Sequence, residues 1–318
     1  WDVGVHYIGE VHKPHSTLRR LFDVISDGAL KWAPMDPVYD RIIIGDRRVD
    51  FTAGRGALAD NLIAHFPAEE AAIRRYIELI DEAARSAQKF FAGQAMPRWL
   101  GRTYHAARPL LVPKNCFRSV RDVLEELTSN QELIGVLTGQ WGDYGMVPRD
   151  ASFLMHATVV KHYFGGGSYP VGGSWMIPET IVPVIRAGGG EVFTYAKVEE
   201  IVIEQGRATG VRMANGDILR ADQIVSSAGA RVTFEQLLPV ALRESLGYPA
   251  KLKQVKTSGA HLCIYAGFKG SAAELGLPKT NLWIYPNEHH EANVAAFQAD
   301  VNAPFPMLYV SFPSAKDP

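Results

Sequence analysis

Apolar positions recur with a helical period in the clearest segment of the chain. Ile73, Tyr76, Ile77, Ile80, Ala84, Ala87 and Phe91 fall on one stripe, which is the signature of an amphipathic helix. Pro67 stands just before it, and Ala68-Glu69-Glu70 puts acids in the first turn, where they suit the helix dipole. The same reading predicts helices over 18–30, 57–66, 119–128, 130–141 and 150–163. Residues 41–44 and 48–51 alternate around Gly45-Asp46-Arg47 and predict a hairpin. Residues 1–9 read as a short strand, and 97–113 as irregular chain.

The pattern changes at Gly165-Gly166-Gly167. A second glycine pair, Gly172-Gly173-Ser174, opens a helix that runs to about Ala187, and Gly188-Gly189-Gly190 closes it. Strands are expected at 191–194, Val198–Glu204 and Arg207–Met213, then 218–221 and 223–227, with Asn215-Gly216 as a turn. A helix near 231–238 precedes strands at 258–268, 281–285 and 307–312. The expected fold class is mixed α/β, with a helical part set between β-rich pieces. No internal repeat or low-complexity tract interrupts it. Both ends of the sequence, Trp1 onward and up to 307–312, read as cut from a longer chain.

Composition narrows the function classes. The formal net charge is -1 over 318 residues, so no global electrostatic case exists for a nucleic-acid partner. Two cysteines, Cys116 and Cys263, exclude a disulfide framework and a cysteine zinc site, and fit a reducing, cytoplasmic compartment. No apolar run is long enough to span a bilayer. The adjacent His289 and His290 would face opposite ways on a strand, which argues against a metal site.

The order of motifs from Tyr169 to Gly229 carries a resemblance. It runs Tyr-Pro-x-Gly-Gly-Ser, a helix, Gly-Gly-Glu-Val, Val198-Glu199-Glu200-Ile201, Gly206-Arg207-x-x-Gly210-Val211, Asn215-Gly216 and Ile224-Val225-Ser226-Ser227-Ala228-Gly229. This resembles the phytoene desaturase, carotene isomerase and retinol saturase-like flavoproteins of the flavin amine oxidase superfamily. Trp1-Asp2-Val3-Gly4-Val5-His6-Tyr7-Ile8-Gly9 is similar to a strand of the retinol saturase branch. The resemblance implies part of a Rossmann-like FAD-binding domain plus a substrate domain with a helical insertion. On that reading 164–229 is the FAD-domain remnant, 55–163 the insertion, and 1–54 with 230–318 the β-rich substrate pieces. It implies FAD contacts at Val198, through its backbone, and at Ser227, Ala228 and Gly229, where small residues let a cofactor approach. Gly172, Gly173 and Ser174 would present free N–H groups to a flavin or an electron-rich substrate.

The family's Gly-x-Gly-x-x-Gly dinucleotide motif is missing from this sequence. Gly54-Arg55-Gly56-Ala57-Leu58-Ala59 imitates it, but the helix it opens runs into Pro67 and another helix, so a turn into a helix is the better reading.

The implied chemistry moves a hydride between flavin and a C–C bond of a carotenoid- or retinoid-like isoprenoid, and needs few titrating residues. His6 and Tyr7 are the candidates nearest the flavin; His162 and Tyr163 read as packing. From Ala83 to Arg121 there is no acid, while eight Lys or Arg interleave with Trp99, Leu100, Leu110 and Leu111. Arg98, Trp99, Leu100, Arg102, Leu110 and Leu111 are candidates for peripheral membrane contact. An amine oxidase-like enzyme and a non-catalytic lipid- or isoprenoid-binding module remain alternatives.

Overall fold

The computed structural model describes residues 7–94, 96–97, 100–101, 103–104, 106, 112–255 and 259–318. The chain divides into two compact units, one of residues up to 187 together with 260–318, the other of 188–259.

The first unit is built on a four-stranded sheet. Its strands are β3 (Val38–Ile44), β4 (Arg47–Thr52), β9 (Asn281–Tyr285) and β10 (Leu308–Val310), in the order β10-β9-β3-β4. β3 and β4 are the expected hairpin, closed at Ile44↔Arg47 with Gly45 at φ 56°. β9 pairs parallel to β3, so Asp40 lies opposite Asn281. A bulge between Val38 and Asp40 breaks strict alternation and leaves Tyr39 and Asp40 both fully buried. A smaller sheet joins β1 (Ile8–Gly9), β5 (Gly167–Pro170) and β2 (Trp32–Pro34), in the order β1-β5-β2.

Helices cover the larger sheet. α1 (Thr17–Ile25) is capped by Ser16, whose side chain accepts from the Arg19 N–H. It stops earlier than the periodicity suggests, because Asp27 and Gly28 turn to positive φ. α2 (Arg55–His65) packs on β4, and α3 (Glu70–Gln94) buries Ile73, Tyr76, Ile77 and Ile80 against its neighbours. α2 leads through a 3-10 turn into α3 with no second parallel strand, so the Gly54 segment is a turn into a helix. α4 (Val120–Glu125), α5 (Gln131–Leu137), α6 (Phe153–His162) and α7 (Met176–Ala187) complete this part. α6 packs along α3, and Asp81 on α3 ties it down by pairing with Lys161 and with Arg55, each at 2.7 Å.

Gly9 shows how tightly β1 is seated. A Cβ there would stand 2.0 Å from the His162 carbonyl oxygen. Backbone cannot yield that distance, so Gly9→Ala should cost about 3 kcal/mol or more. A urea melt of the variant checks this.

The second unit holds the meander β6 (Val198–Glu204), β7 (Arg207–Met213) and β8 (Ile218–Arg220), in the order β6-β7-β8. A π-helical turn, Val232–Leu237, packs against β6. Here the structure departs from the sequence reading. Residues 191–194 and 223–227 are not strands, and in the first unit 260–268 are not either. Val225, Leu262 and Ile264 are instead highly exposed. Their apolar character favours a strand, but no neighbouring strand among the described residues satisfies their backbone groups.

Candidate functional site

Asp40 is the centre of a buried polar cluster. Its carboxylate is fully buried and accepts from three donors. The Tyr7 hydroxyl and the Gln140 amide donate to Oδ2 at 2.7 and 2.6 Å, and the Asn281 amide donates to Oδ1 at 2.9 Å. Burial raises the Asp40 pKa above the ordinary range, and these three hydrogen bonds pull it part of the way back. The donors come from the residue just before β1, the segment after α5, and β9, so the cluster exists only once the sheet has closed.

Aromatic rings wall this cluster. Tyr7 stacks on Tyr163 at 4.4 Å between ring centres, and Tyr163 on Tyr39 at 5.7 Å. Gly167 is needed for this approach: a Cβ there would come within 2.8 Å of both the Tyr7 ring and the Met35 sulfur. The Trp141–Tyr144 3-10 turn closes another side. Its Gly142 packs so closely on Trp283 and Met307 that a Cβ would stand 2.7 Å from the indole. The next residue, Asp143, is exposed. Yet the protein around it is dense enough that loss of solvent, then the Asp40 charge, push its carboxyl well above the usual range.

The sequence candidates are placed unevenly. His6 lies outside the described residues, and so do Arg98, Trp99, Arg102, Leu110 and Leu111. Tyr7 is in the cluster, where its phenol is engaged by Asp40. His162 is held neutral by burial, and its Nε2 accepts the Gly9 N–H at 2.7 Å. Leu100 is 39% exposed. Gly172 and Gly173 both adopt positive φ. The Gly173 N–H is used by the Pro170 carbonyl, and the Gly172 N–H donates to the Asp317 carboxylate at 2.8 Å. The N–H groups of Gly172 and Gly173 are therefore engaged within the chain and not free. Ser174 is half-buried in the same turn. His290 points into the core, donating to the Gly135 carbonyl at 2.9 Å, and no group of three metal-ligating side chains exists among the described residues.

In the second unit, Val198 opens β6 opposite Met213 and is half-buried. Ser227, Ala228 and Gly229 are exposed, and Gly229 has φ 87° with open space where a Cβ would be. Such backbone suits close approach by a cofactor. Asp40, Gln140, Asp143 and Asn281 were not among the sequence candidates, because no local motif marks them. A groove of about 280 Å³ at the β3–β4 turn is lined by Arg47, Glu132 and Glu288 among others; Arg47 and Glu132 pair at 2.8 Å there.

Comparison with known proteins agrees with this architecture. No family model matches the chain. It is 33% identical to an all-trans-retinol 13,14-reductase of Danio rerio over an alignment of 333 positions, covering the whole chain and 55% of that relative. The Homo sapiens protein of the same name is 32% identical with the same coverage. A phytoene desaturase of Neurospora crassa is 28% identical over 55% of the chain and 30% of its own length. The chain therefore spans about half the length of the curated relatives it matches. Among solved structures, an oxidoreductase from Methanosarcina mazei superposes with a TM-score of 0.55 at 14% identity, covering 80% of this chain and 53% of that one, which shows a shared mixed α/β fold. The chain belongs to the oxidoreductase family of the all-trans-retinol 13,14-reductases and phytoene desaturases.

Proposed function

We propose that this protein is part of an FAD-dependent oxidoreductase that saturates, desaturates or isomerises C–C double bonds of a retinoid- or carotenoid-like isoprenoid. The observation that carries the proposal is the likeness to all-trans-retinol 13,14-reductase along the whole chain at 33% identity.

The residues present are compatible with a flavin dinucleotide. The open backbone at Ser227-Ala228-Gly229 and the start of β6 at Val198, both in the second unit, would hold its adenosine part. On this reading residues 164–229 serve the cofactor, while 55–163 and the β-rich pieces serve the substrate. Bound flavin supplies a two-electron hydride carrier. The chain's own part is to orient an apolar substrate, exclude water and hold the few polar groups still. Aromatic walls around a satisfied Asp40 suit that task. The basic stretch 83–121, with Leu100 exposed, supports peripheral contact with anionic membrane. No helix among the described residues is long and apolar enough to cross one.

A second reading has one observation in its favour. A Danio rerio relative that is 28% identical along the whole chain is named an inactive all-trans-retinol 13,14-reductase. The scaffold then binds an isoprenoid without turnover. The absorption spectrum of the purified full-length gene product separates the two. Visible flavin bands that survive gel filtration are expected; a colourless protein that cannot be reconstituted with FAD leaves only the binding reading.

A further inference from the structure

The C-terminal end of α3 exposes aromatic side chains where the rest of the helix buries its apolar ones. Phe91 continues the stripe that begins at Ile73, yet it is 51% exposed. Its ring lies 5.3 Å from that of Phe90, and Phe90 lies 5.9 Å from Phe117 between ring centres. Phe117 ends the 3-10 turn Lys114–Phe117 and is 45% exposed. Residues 100–104 lie against the same helix end. The Tyr104 hydroxyl donates to the Lys89 carbonyl, the Tyr104 ring fills the place of a side chain at Gly93, and a Cβ at Gly101 would stand 3.9 Å from the Gly93 carbonyl oxygen. Leu100, next to Gly101, is exposed as well. Three segments of the chain thus present apolar side chains around one helix end.

The charge there is one-sided. Arg85, Lys89 and Lys114 are exposed and form no ion pair with any described residue, whereas Arg118 and Arg121 are engaged by Glu126 and Glu291. No Asp or Glu falls between 83 and 121. The helix dipole does not account for these cations, because it favours them in the last turn, and the last turn of α3 holds none.

We propose that the end of α3 and the Lys114–Phe117 turn form an anchor for an anionic phospholipid surface. Phe91 and Phe117 enter the interface, and Arg85, Lys89 and Lys114 meet the headgroups. Aromatic rings beside unpaired cations match such a surface in both its layers, the apolar edge and the negative charge. The inference rests on the membrane contact proposed above and names the residues that make it.

The test is flotation of the full-length protein with phosphatidylcholine vesicles, with and without phosphatidylserine. The wild type should bind the vesicles that contain phosphatidylserine, and added salt should weaken that binding. Lys89→Gln and Lys114→Gln should each lower affinity for the anionic vesicles roughly fivefold. Phe91→Ser combined with Phe117→Ser should lower it about tenfold or more. All four substitutions lie at exposed positions, so flavin content should match wild type and report an intact fold. Wild-type protein that binds neither vesicle, or binds both equally, overturns the proposal, and that comparison needs no variant. Undiminished binding by the Phe91 and Phe117 double variant places the anchor elsewhere and also overturns it. None of these failures touches the oxidoreductase reading, which is judged by bound flavin and by the polyene spectrum.

Discussion

Asp40→Ala should lose roughly 3–5 kcal/mol of folding stability, the range for removing one member of a buried charged or hydrogen-bonded set. The truncation strands the buried Tyr7 hydroxyl and Gln140 amide and leaves the Asn281 amide only its bond to the Tyr39 carbonyl. Asp40→Asn should cost far less, about 1 kcal/mol. Its oxygen can take the place of Oδ2 for Tyr7 and Gln140. Its NH2 would then meet the Asn281 amide, whose Oδ1 is buried and lacks a partner, and a flip of that amide restores a bond. Urea denaturation of the two variants side by side checks the contrast. Similar losses in both would mean that the negative charge, and not the hydrogen-bond pattern, matters at this position. Tyr7→Phe removes one donor only and should cost about 1 kcal/mol.

Acid should destabilise the fold through its buried histidines. His156 is fully buried between Tyr76 and Tyr144, with Nε2 2.9 Å from one hydroxyl and Nδ1 3.3 Å from the other. Burial lowers its pKa to about 3. His290 lies against Tyr285 and is lowered to about 4, chiefly by burial. Both are neutral in the fold, whereas an unfolded histidine titrates near 6.5. Below that pH the unfolded chain binds protons that the fold refuses, so stability is full above about 6.5 and falls with pH down to the folded values. At pH 5 each histidine should have removed about 2 kcal/mol. His162, also lowered by burial, acts in the same direction. His156→Gln should flatten the stability–pH curve between 5 and 6.5 by about half of the two-histidine loss, whatever it costs at neutral pH. Urea melts across that range measure it, and an unchanged slope would place the proton uptake elsewhere.

Much of the scaffold was legible because local pattern fixed it. The stripe from Ile73 to Phe91 could only be a helix, and alternation about Gly45 could only be a hairpin. The expected strands at 191–194 and 223–227, and that at 258–268 over its described residues, failed for the complementary reason. Apolar alternation gives strand propensity, but a strand exists only beside another whose groups it can pair with. The site was less legible still. Asp40 meets Gln140 across 100 positions and Asn281 across 241, and nothing near any of them in sequence announces the meeting. Tyr7 was found through resemblance, yet its role in the structure, donating to a buried carboxyl, follows only from the fold. The glycines are the partial exception. Gly167 stood out in sequence as part of a glycine run, and the structure gives it, like Gly9, a close approach that no side chain would permit.

The central claim is double-bond chemistry on an isoprenoid, and a single-turnover experiment tests it most directly. The full-length protein, loaded with FAD and reduced without oxygen, is mixed with all-trans-retinol in an amount matching the flavin. The account predicts that the polyene absorption moves to shorter wavelength, as a shortened conjugated system requires, while an equal amount of flavin is reoxidised. A polyene spectrum that stays unchanged over fully reduced flavin, and likewise for a carotenoid offered to the oxidised enzyme, would contradict it.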